Sequence, residues 1–427
     1  MNDIKHLKCL SAVRSMSSIR QLTPAAFPGN HCPMHTALSL GARMKGMSTL
    51  VIGTAECSYY SRNVPSASRS GEQVLHWTYL LDSREIVFGF RDGLIDAIKE
   101  MDRAGAKVIL LLATCVPELI GEDIESICYE IQTEVRARLI HIPLGNFKCG
   151  SYEPGYWKTL LAMGKLTEKV QGRKTTVNIL GRSSLESHIP MPELIILLKS
   201  YDVPLRFLAP DSSVEDFISA GEAQLNIILS PFMNPLAEWM AQVHDIPFLS
   251  LHDIYDVKEI ENAYLQIEQR LGIKIGCKFA ERLKYTRKIQ KEAVDRISGL
   301  QYISADIGAL QPLPLSVFLS KLGMEPVMIH MEEFYPSDVK WKKTLISLEK
   351  NPVICLMLNK QGDRPLIEAM CPDMVLGDWD GRGEARPPMV QLLDLYGQIG
   401  YERTVTILRR ITDMPTEGKG EGKNGTL

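Results

Sequence analysis

Three cysteines stand where their thiols could do chemistry together. Cys32 lies in Phe27-Pro28-Gly29-Asn30-His31-Cys32-Pro33-Met34-His35, a loop that opens a helix running to about Met44. Cys57 closes Gly53-Thr54-Ala55-Glu56-Cys57, just past the carboxyl end of a buried-strand pattern. Cys115 follows Ala113-Thr114, at another strand end and directly before a helix N-terminus. In an open α/β sheet ligands collect outside the carboxyl ends of the strands, so the three sulfurs are expected on one rim. A helix N-terminus favours thiolate over thiol, and thiolates are the soft donors that suit an iron–sulfur cluster or zinc. The competing reading is packing alone, because unpaired cysteine is among the most buried residue types.

The chain holds nine cysteines in all, the others being Cys9, Cys128, Cys149, Cys277, Cys355 and Cys371. Met1 to Arg20 carries charges throughout and has no apolar core, so no export signal is expected. With an odd count, reduced thiols in a cytoplasmic protein follow. No Cys-x-x-Cys pair occurs, which removes zinc ribbons and thioredoxin-like sites. His31 and His35 flank Cys32 and could hydrogen-bond a bound cluster or carry protons, against a helix-capping or core role. Glu56 reads as a surface carboxylate or, if buried, a proton donor. Cys128 falls beside Ile127 and Ile131 in a helix and reads as core, as does Cys355 in a strand. Cys149, in Gly145-Asn146-Phe147-Lys148-Cys149-Gly150, is near the same rim as a spare contact. Asp378-Trp379-Asp380-Gly381 would line a site or form a turn, and Lys278 to Lys291 reads as a solvated helix face.

The elements that must position these residues alternate between short apolar strands and amphipathic helices. Strands are expected over Ser48 to Gly53, Glu85 to Phe88, Lys107 to Ala113 and Arg138 to Pro143, with helices over Asp92 to Arg103 and Pro117 to Val135. The rhythm restarts at Thr175 and again near Gly299. This gives an α/β fold of three Rossmann-like, doubly wound units with mostly parallel sheets around a central cleft. The expected divisions are 1–172 for the cysteine-bearing unit, 173–297 for a second with a connector helix, 298–415 for a third, and 416–427 for a disordered tail.

Composition and motifs narrow the function. Lys plus Arg total 48 and Asp plus Glu 51, so no nucleic-acid partner held by bulk positive charge is expected. The longest apolar runs, Val108 to Ala113 among them, are far short of the ~20 residues that span a bilayer, so no membrane association is expected. There is no Gly-x-x-x-x-Gly-Lys-Ser/Thr phosphate loop, no Gly-x-Gly-x-x-Gly after a strand (Gly381-Arg382-Gly383 falls in a loop), and no His-Glu-x-x-His or Gly-x-Ser-x-Gly.

The segments around the three cysteines resemble the component 1 subunits of nitrogenase and nitrogenase-like reductases. The resemblance rests on the first-cysteine loop at Cys32, on Gly53-Thr54-Ala55-Glu56-Cys57-Ser58-Tyr59-Tyr60, on Ile86-Val87-Phe88-Gly89-Phe90, and on Thr114-Cys115-Val116-Pro117-Glu118-Leu119-Ile120-Gly121-Glu122-Asp123-Ile124. Order and spacing match over roughly residues 25 to 150. The remainder resembles the family more loosely, through its three-unit plan and Cys371-Pro372-Asp373-Met374-Val375.

The resemblance implies that Cys32, Cys57 and Cys115 are one subunit's ligands to a [4Fe–4S] or P-cluster-like iron–sulfur cluster shared with a partner subunit. That partner would be a second component 1 subunit or a second copy of this chain. Electrons would come from an ATP-dependent iron protein with its own phosphate loop. One departure stands out. The family's catalytic α subunit carries a cofactor-ligating cysteine after the strand of the second unit, with a histidine ligand in the third. Here the strand Asn226-Ile227-Ile228-Leu229 runs into Ser230-Pro231-Phe232, and no histidine follows Cys371. The expected function is therefore an oxidoreductase subunit that passes electrons to a bound substrate. The alternative is a non-catalytic scaffold for metallocofactor assembly. A metal-free small-molecule-binding module is a third reading.

Overall fold

Apolar runs become strands and amphipathic stretches become helices in a computed structural model that describes residues 4–23, 32–62, 74–145, 153–170, 175–182, 189–308, 310–356, 362–379 and 387–414. The loop from Phe27 to His31, Cys149, Asp380 to Gly383 and the tail from Thr416 lie outside the described residues. The chain forms two compact units. One takes residues 29–252 with 269–273, and the other takes 1–28, 253–268 and 274–427.

Two short strands come first, β1 (Lys8–Cys9) and β2 (Arg20–Gln21), both in the second of these units. The first unit then opens with α1 (Pro33–Arg43), β3 (Met47–Gly53), α2 (Ala55–Ser61), β4 (His76–Leu80), α3 (Ser83–Phe88), α4 (Arg91–Arg103), β5 (Val108–Ala113), α5 (Cys115–Ile120), α6 (Ile124–Ile131), β6 (Arg138–Pro143) and α7 (Glu153–Gly164). Its first sheet has the order β4-β3-β5-β6 with every pair parallel. All residues of β3 and β5 are buried, Ser48 and Thr49 of β3 included, as strands in the middle of a parallel sheet are. One face packs Leu50, Ile52, Ile109 and Leu111 under α4 and α6. The other packs Met47, Val51, Leu110 and Leu112 against α1 and α7.

Two expectations fail here for local reasons. Glu85 to Phe88 is helix, not strand. The Asp82 carboxylate accepts the Arg84 and Glu85 backbone N–H groups at 2.8 Å, and the Glu85 carboxylate accepts the Asp82 N–H at 3.0 Å. That reciprocal capping box starts a helix wherever it forms. The strand that pairs with β3 is instead His76–Leu80. The expected helix from Pro117 to Val135 is two helices. α5 stops at Gly121, whose φ of 83° a helix cannot continue, and Asp123 caps α6 by accepting the Ser126 N–H at 2.9 Å.

The same unit continues with β7 (Val177–Leu180), α8 (Glu193–Ser200), β8 (Leu205–Leu208), α9 (Val214–Ile218), β9 (Leu225–Ile228), α10 (Asn234–His244) and β10 (Phe248–Ser250). These strands make a second parallel sheet in the order β10-β9-β7-β8. The apolar cluster under the first sheet runs on through Leu180, Leu208, Phe217 and Met240, so the two sheets share one interior.

The other unit holds α12 (Ala280–Ile297), preceded by α11 (Val257–Leu271), whose last turn is assigned to the first unit, and then β11 (Gln301–Ser304), α13 (Pro312–Lys321), β12 (Glu325–Met331), α14 (Asp338–Ser347), β13 (Val353–Leu356), α15 (Arg364–Met370), β14 (Met374–Leu376), β15 (Met389–Val390) and α16 (Gly400–Thr412). Its sheet runs β1-β13-β12-β11-β14-β15. All pairs are parallel except β1 with β13, and β2 continues along the same edge of β13 in parallel. The three mostly parallel sheets expected from the strand–helix rhythm are therefore present among the described residues. No helix among them is long and apolar enough to cross a membrane.

Candidate functional site

Three strand ends of the first sheet open into short helices. β3 ends at Gly53 and turns through Thr54 into α2. β4 ends at Leu80 and turns through the Asp82 cap into α3. β5 ends at Ala113 and turns through Thr114 into α5. Because the three strands are adjacent and parallel, these turns share one rim of the sheet. Cys57 is the third residue of α2 and Cys115 the first of α5. Cys32 reaches the rim as the N-cap of α1, a helix that packs directly on α7. A Cβ at Gly155 of α7 would lie 2.5 Å from the Pro33 carbonyl oxygen and 2.9 Å from its Cα, so only glycine permits that approach.

The turns are pinned together by polar contacts. The Thr114 hydroxyl donates to the Ile52 carbonyl at 2.9 Å, and the Thr114 backbone N–H donates to the same oxygen at 3.1 Å. A Cβ at Gly53 would sit 2.5 Å from Thr114 Oγ1, 2.9 Å from Cys57 Cβ and 3.2 Å from Cys57 Sγ. Cys57 thus lies over Gly53, beside the residue that precedes Cys115.

All three sulfurs are half-buried and none is in a disulfide. Burial pushes the Cys32 thiol above its ordinary pKa, the Met34 N–H in the first turn of α1 pulls it down, and the Cys115 and Cys57 thiols each push it up. Cys32 therefore has Cys115 and Cys57 as electrostatic neighbours, and their repulsion disfavours its thiolate. A bound cation would relieve that repulsion. Among the described residues no three His, Cys, Asp or Glu side chains are grouped tightly enough to hold a single metal ion. The donor set, three thiols with no carboxylate interleaved, fits a multi-iron cluster better than a lone zinc.

The other candidates fall into place around this rim or away from it. His35 meets Tyr60 edge-on at 5.9 Å between ring centroids, and Tyr60 meets Tyr59 at 5.6 Å. Glu56 is exposed, and the Thr54 hydroxyl holds its carboxyl below the usual value, so it is a surface carboxylate and not a proton donor. Cys128 is buried in α6, where burial pushes its thiol up to about 12. Cys355 is buried in β13. Asp378 pairs through its backbone with Asp306, and Lys278 to Lys291 lies mostly within the largely exposed α12.

Sequence reasoning missed one feature. The short helices on the rim carry apolar side chains that face solvent: Tyr59 is 65% exposed, Val87 71%, Phe88 81% and Leu119 76%. Exposed large apolar side chains on neighbouring short helices are uncommon on a surface that faces water alone. Val87 and Phe88 read as an interior strand in the sequence, and that reading concealed them.

In the second sheet, Ser230 follows β9 at the place where a cofactor cysteine would stand. It is 2% exposed. A Cβ at Gly181, after β7, would come within 2.5 Å of its Cβ.

A family model described as nitrogenase component 1 type oxidoreductase matches residues 32–414. The nitrogenase iron-molybdenum cofactor biosynthesis protein NifE of Clostridium pasteurianum is 30% identical over 295 residues, which are 66% of this chain and 63% of that protein. The protein of the same name from Methanosarcina barkeri is 25% identical over 302 residues, 66% of this chain and 65% of its own length. The match spans a little under two thirds of the length of these relatives. The solved structure of nitrogenase Cp1 at pH 6.5 superposes with a TM-score of 0.65 at 15% identity, over 91% of this chain and 92% of that one, a likeness of fold.

Proposed function

Because this chain belongs to the nitrogenase component 1 type oxidoreductase family, we propose that it is one subunit of a scaffold on which a metallocofactor is assembled. Cys32, Cys57 and Cys115 supply its thiolates to an iron–sulfur cluster shared with a partner subunit. The partner is a second component 1-type subunit or a second copy of this chain, docked on the apolar rim around Val87, Phe88 and Leu119. An ATP-dependent iron protein delivers electrons to the assembly. When bound, the cluster supplies one-electron storage and transfer. The chain's own part is to hold three sulfurs at fixed turns, to bury them by half, and to offer the rim for closure by a partner.

Two observations support scaffold over reductase, and the first carries the reading. The relatives named above bear the name of cofactor biosynthesis proteins. The second is Ser230. A hydroxyl is a far weaker ligand for soft metals than a thiolate, and a site that must release its cargo is served by weaker ligation.

The test is anaerobic purification followed by iron and sulfide analysis and electron paramagnetic resonance, then incubation with iron protein and ATP. The scaffold reading expects bound iron and sulfide with no sustained turnover. Continuous ATP-dependent reduction of a substrate would overturn it in favour of a reductase, and iron-free protein would overturn both.

A further inference from the structure

A pocket of about 430 Å³ lies beneath α2, between α1 and the β3–β4 edge of the first sheet. Its volume is in the range of small-molecule sites. Among the described residues Arg62, at the end of α2, is the one charged residue that lines it, and it pairs with no carboxylate there. Ser58, Ser61 and Thr78 bring hydroxyls to the wall. His76 brings an imidazole whose Nε2 is buried without a hydrogen-bond partner, while its Nδ1 lies 2.8 Å from the Thr49 hydroxyl. With that hydroxyl donating to Nδ1, Nε2 carries the hydrogen and is a donor. Burial pulls the His76 pKa down, which keeps the ring neutral. The rest of the wall includes Leu38 and Val51.

We propose that this pocket binds a small organic carboxylate, with its charge on Arg62, an oxygen on the Ser58, Ser61 and Thr78 hydroxyls, and its carbon skeleton against Leu38 and Val51. One cation, several neutral donors and an apolar wall match one carboxylate with a hydrocarbon body. Inorganic phosphate would leave the wall bare, and a neutral alcohol would leave Arg62 unmatched. The site is independent of the cluster reading, yet it touches the same helix. Ser58 and Ser61 follow Cys57 by one and four residues, within roughly 6 Å along the helix axis, so an occupant braces the segment that carries Cys57.

The test is isothermal titration of the full chain with acetate, hexanoate, benzoate and succinate, alongside inorganic phosphate and hexanol. The expected result is saturable one-to-one binding of hexanoate or benzoate, weakened roughly tenfold or more in Arg62→Gln. Arg62→Gln should fold as the wild type does, since Arg62 is exposed and holds no partner among the described residues, and Arg62→Lys should recover part of the affinity. The proposal is overturned if no carboxylate saturates the wild type, if Arg62→Gln binds as tightly, or if phosphate or hexanol binds as well as the carboxylates.

Discussion

Gly53 leaves no room for a side chain beside Thr114, because a Cβ there would stand 2.5 Å from the Thr114 hydroxyl oxygen. Gly53 ends β3 and Thr114 directly follows the end of the adjacent β5, and the helices that follow them carry Cys57 and Cys115. The missing methyl is therefore what lets the two thiol-bearing turns approach. The Thr114 hydroxyl, held on the Ile52 carbonyl, fixes them in that approach.

Gly53→Ala should accordingly destabilise the first unit by about 1–3 kcal/mol, the usual cost of forcing an extra methyl into a packed site. Guanidinium unfolding of the anaerobic protein checks it as a lowered midpoint at unchanged slope. An unaltered midpoint would mean that Thr114 can swing aside freely.

Cys32→Ser, Cys57→Ser and Cys115→Ser should each strip most of the iron from anaerobically purified protein, while Cys128→Ser and Cys355→Ser should not. Colorimetric iron per chain is the measurement. Equal iron in all five variants would remove these three residues from the ligand set.

Phe88→Asp should weaken association with the partner subunit by about tenfold or more and leave the unfolding midpoint within about 0.5 kcal/mol of wild type, because an 81% exposed side chain contributes little to the folded monomer. Sedimentation of the mixed subunits separates the two effects. Undiminished association would place the interface elsewhere.

Asp338 predicts a pH dependence. It is 3% exposed, and burial pushes its carboxyl from 3.8 up to about 7. The Tyr335 N–H, which it accepts at 2.8 Å, opposes that shift, as does Lys340, while Glu333 and Asp253 add to it. Between those two values the folded state binds the proton more tightly than the unfolded one. Stability should therefore fall as pH rises through that window, with a slope of up to about 1.4 kcal/mol per unit, and level off above it. Asp338→Asn should remove this component, which urea titrations at several pH values would show. An equal slope in the variant would assign the proton to another group.

Much of the architecture was readable from apolar runs. Ser48 to Gly53 and Lys107 to Ala113 could be little but central strands, and their ends placed Cys57 and Cys115 on a rim from the sequence alone. What escaped had weaker local signals. His76–Leu80 mixes polar and aromatic residues and reads poorly as a strand until β3 lies beside it. Glu85 to Phe88 is β-prone by composition, yet Asp82 and Glu85 cap it into a helix. Lys8–Cys9 and Arg20–Gln21 are strands only because β13 offers them an edge, a fact no local window contains. The site divided in the same way. The cysteines could be located from strand ends, but the exposed side chains of Val87, Phe88 and Leu119 became visible only once their helices were in place.

The pairing of β1 and β2 with β13 also sets a timetable. Ser11 donates its backbone N–H to Asn351, 340 positions later. At the roughly 5–20 residues per second of ribosomal synthesis, the head of the polypeptide waits on the order of 17–70 s for its strand partner to emerge. The first sheet can close in that interval, so the cysteine turns would be built on the nascent chain while residues 8–21 were still unclaimed.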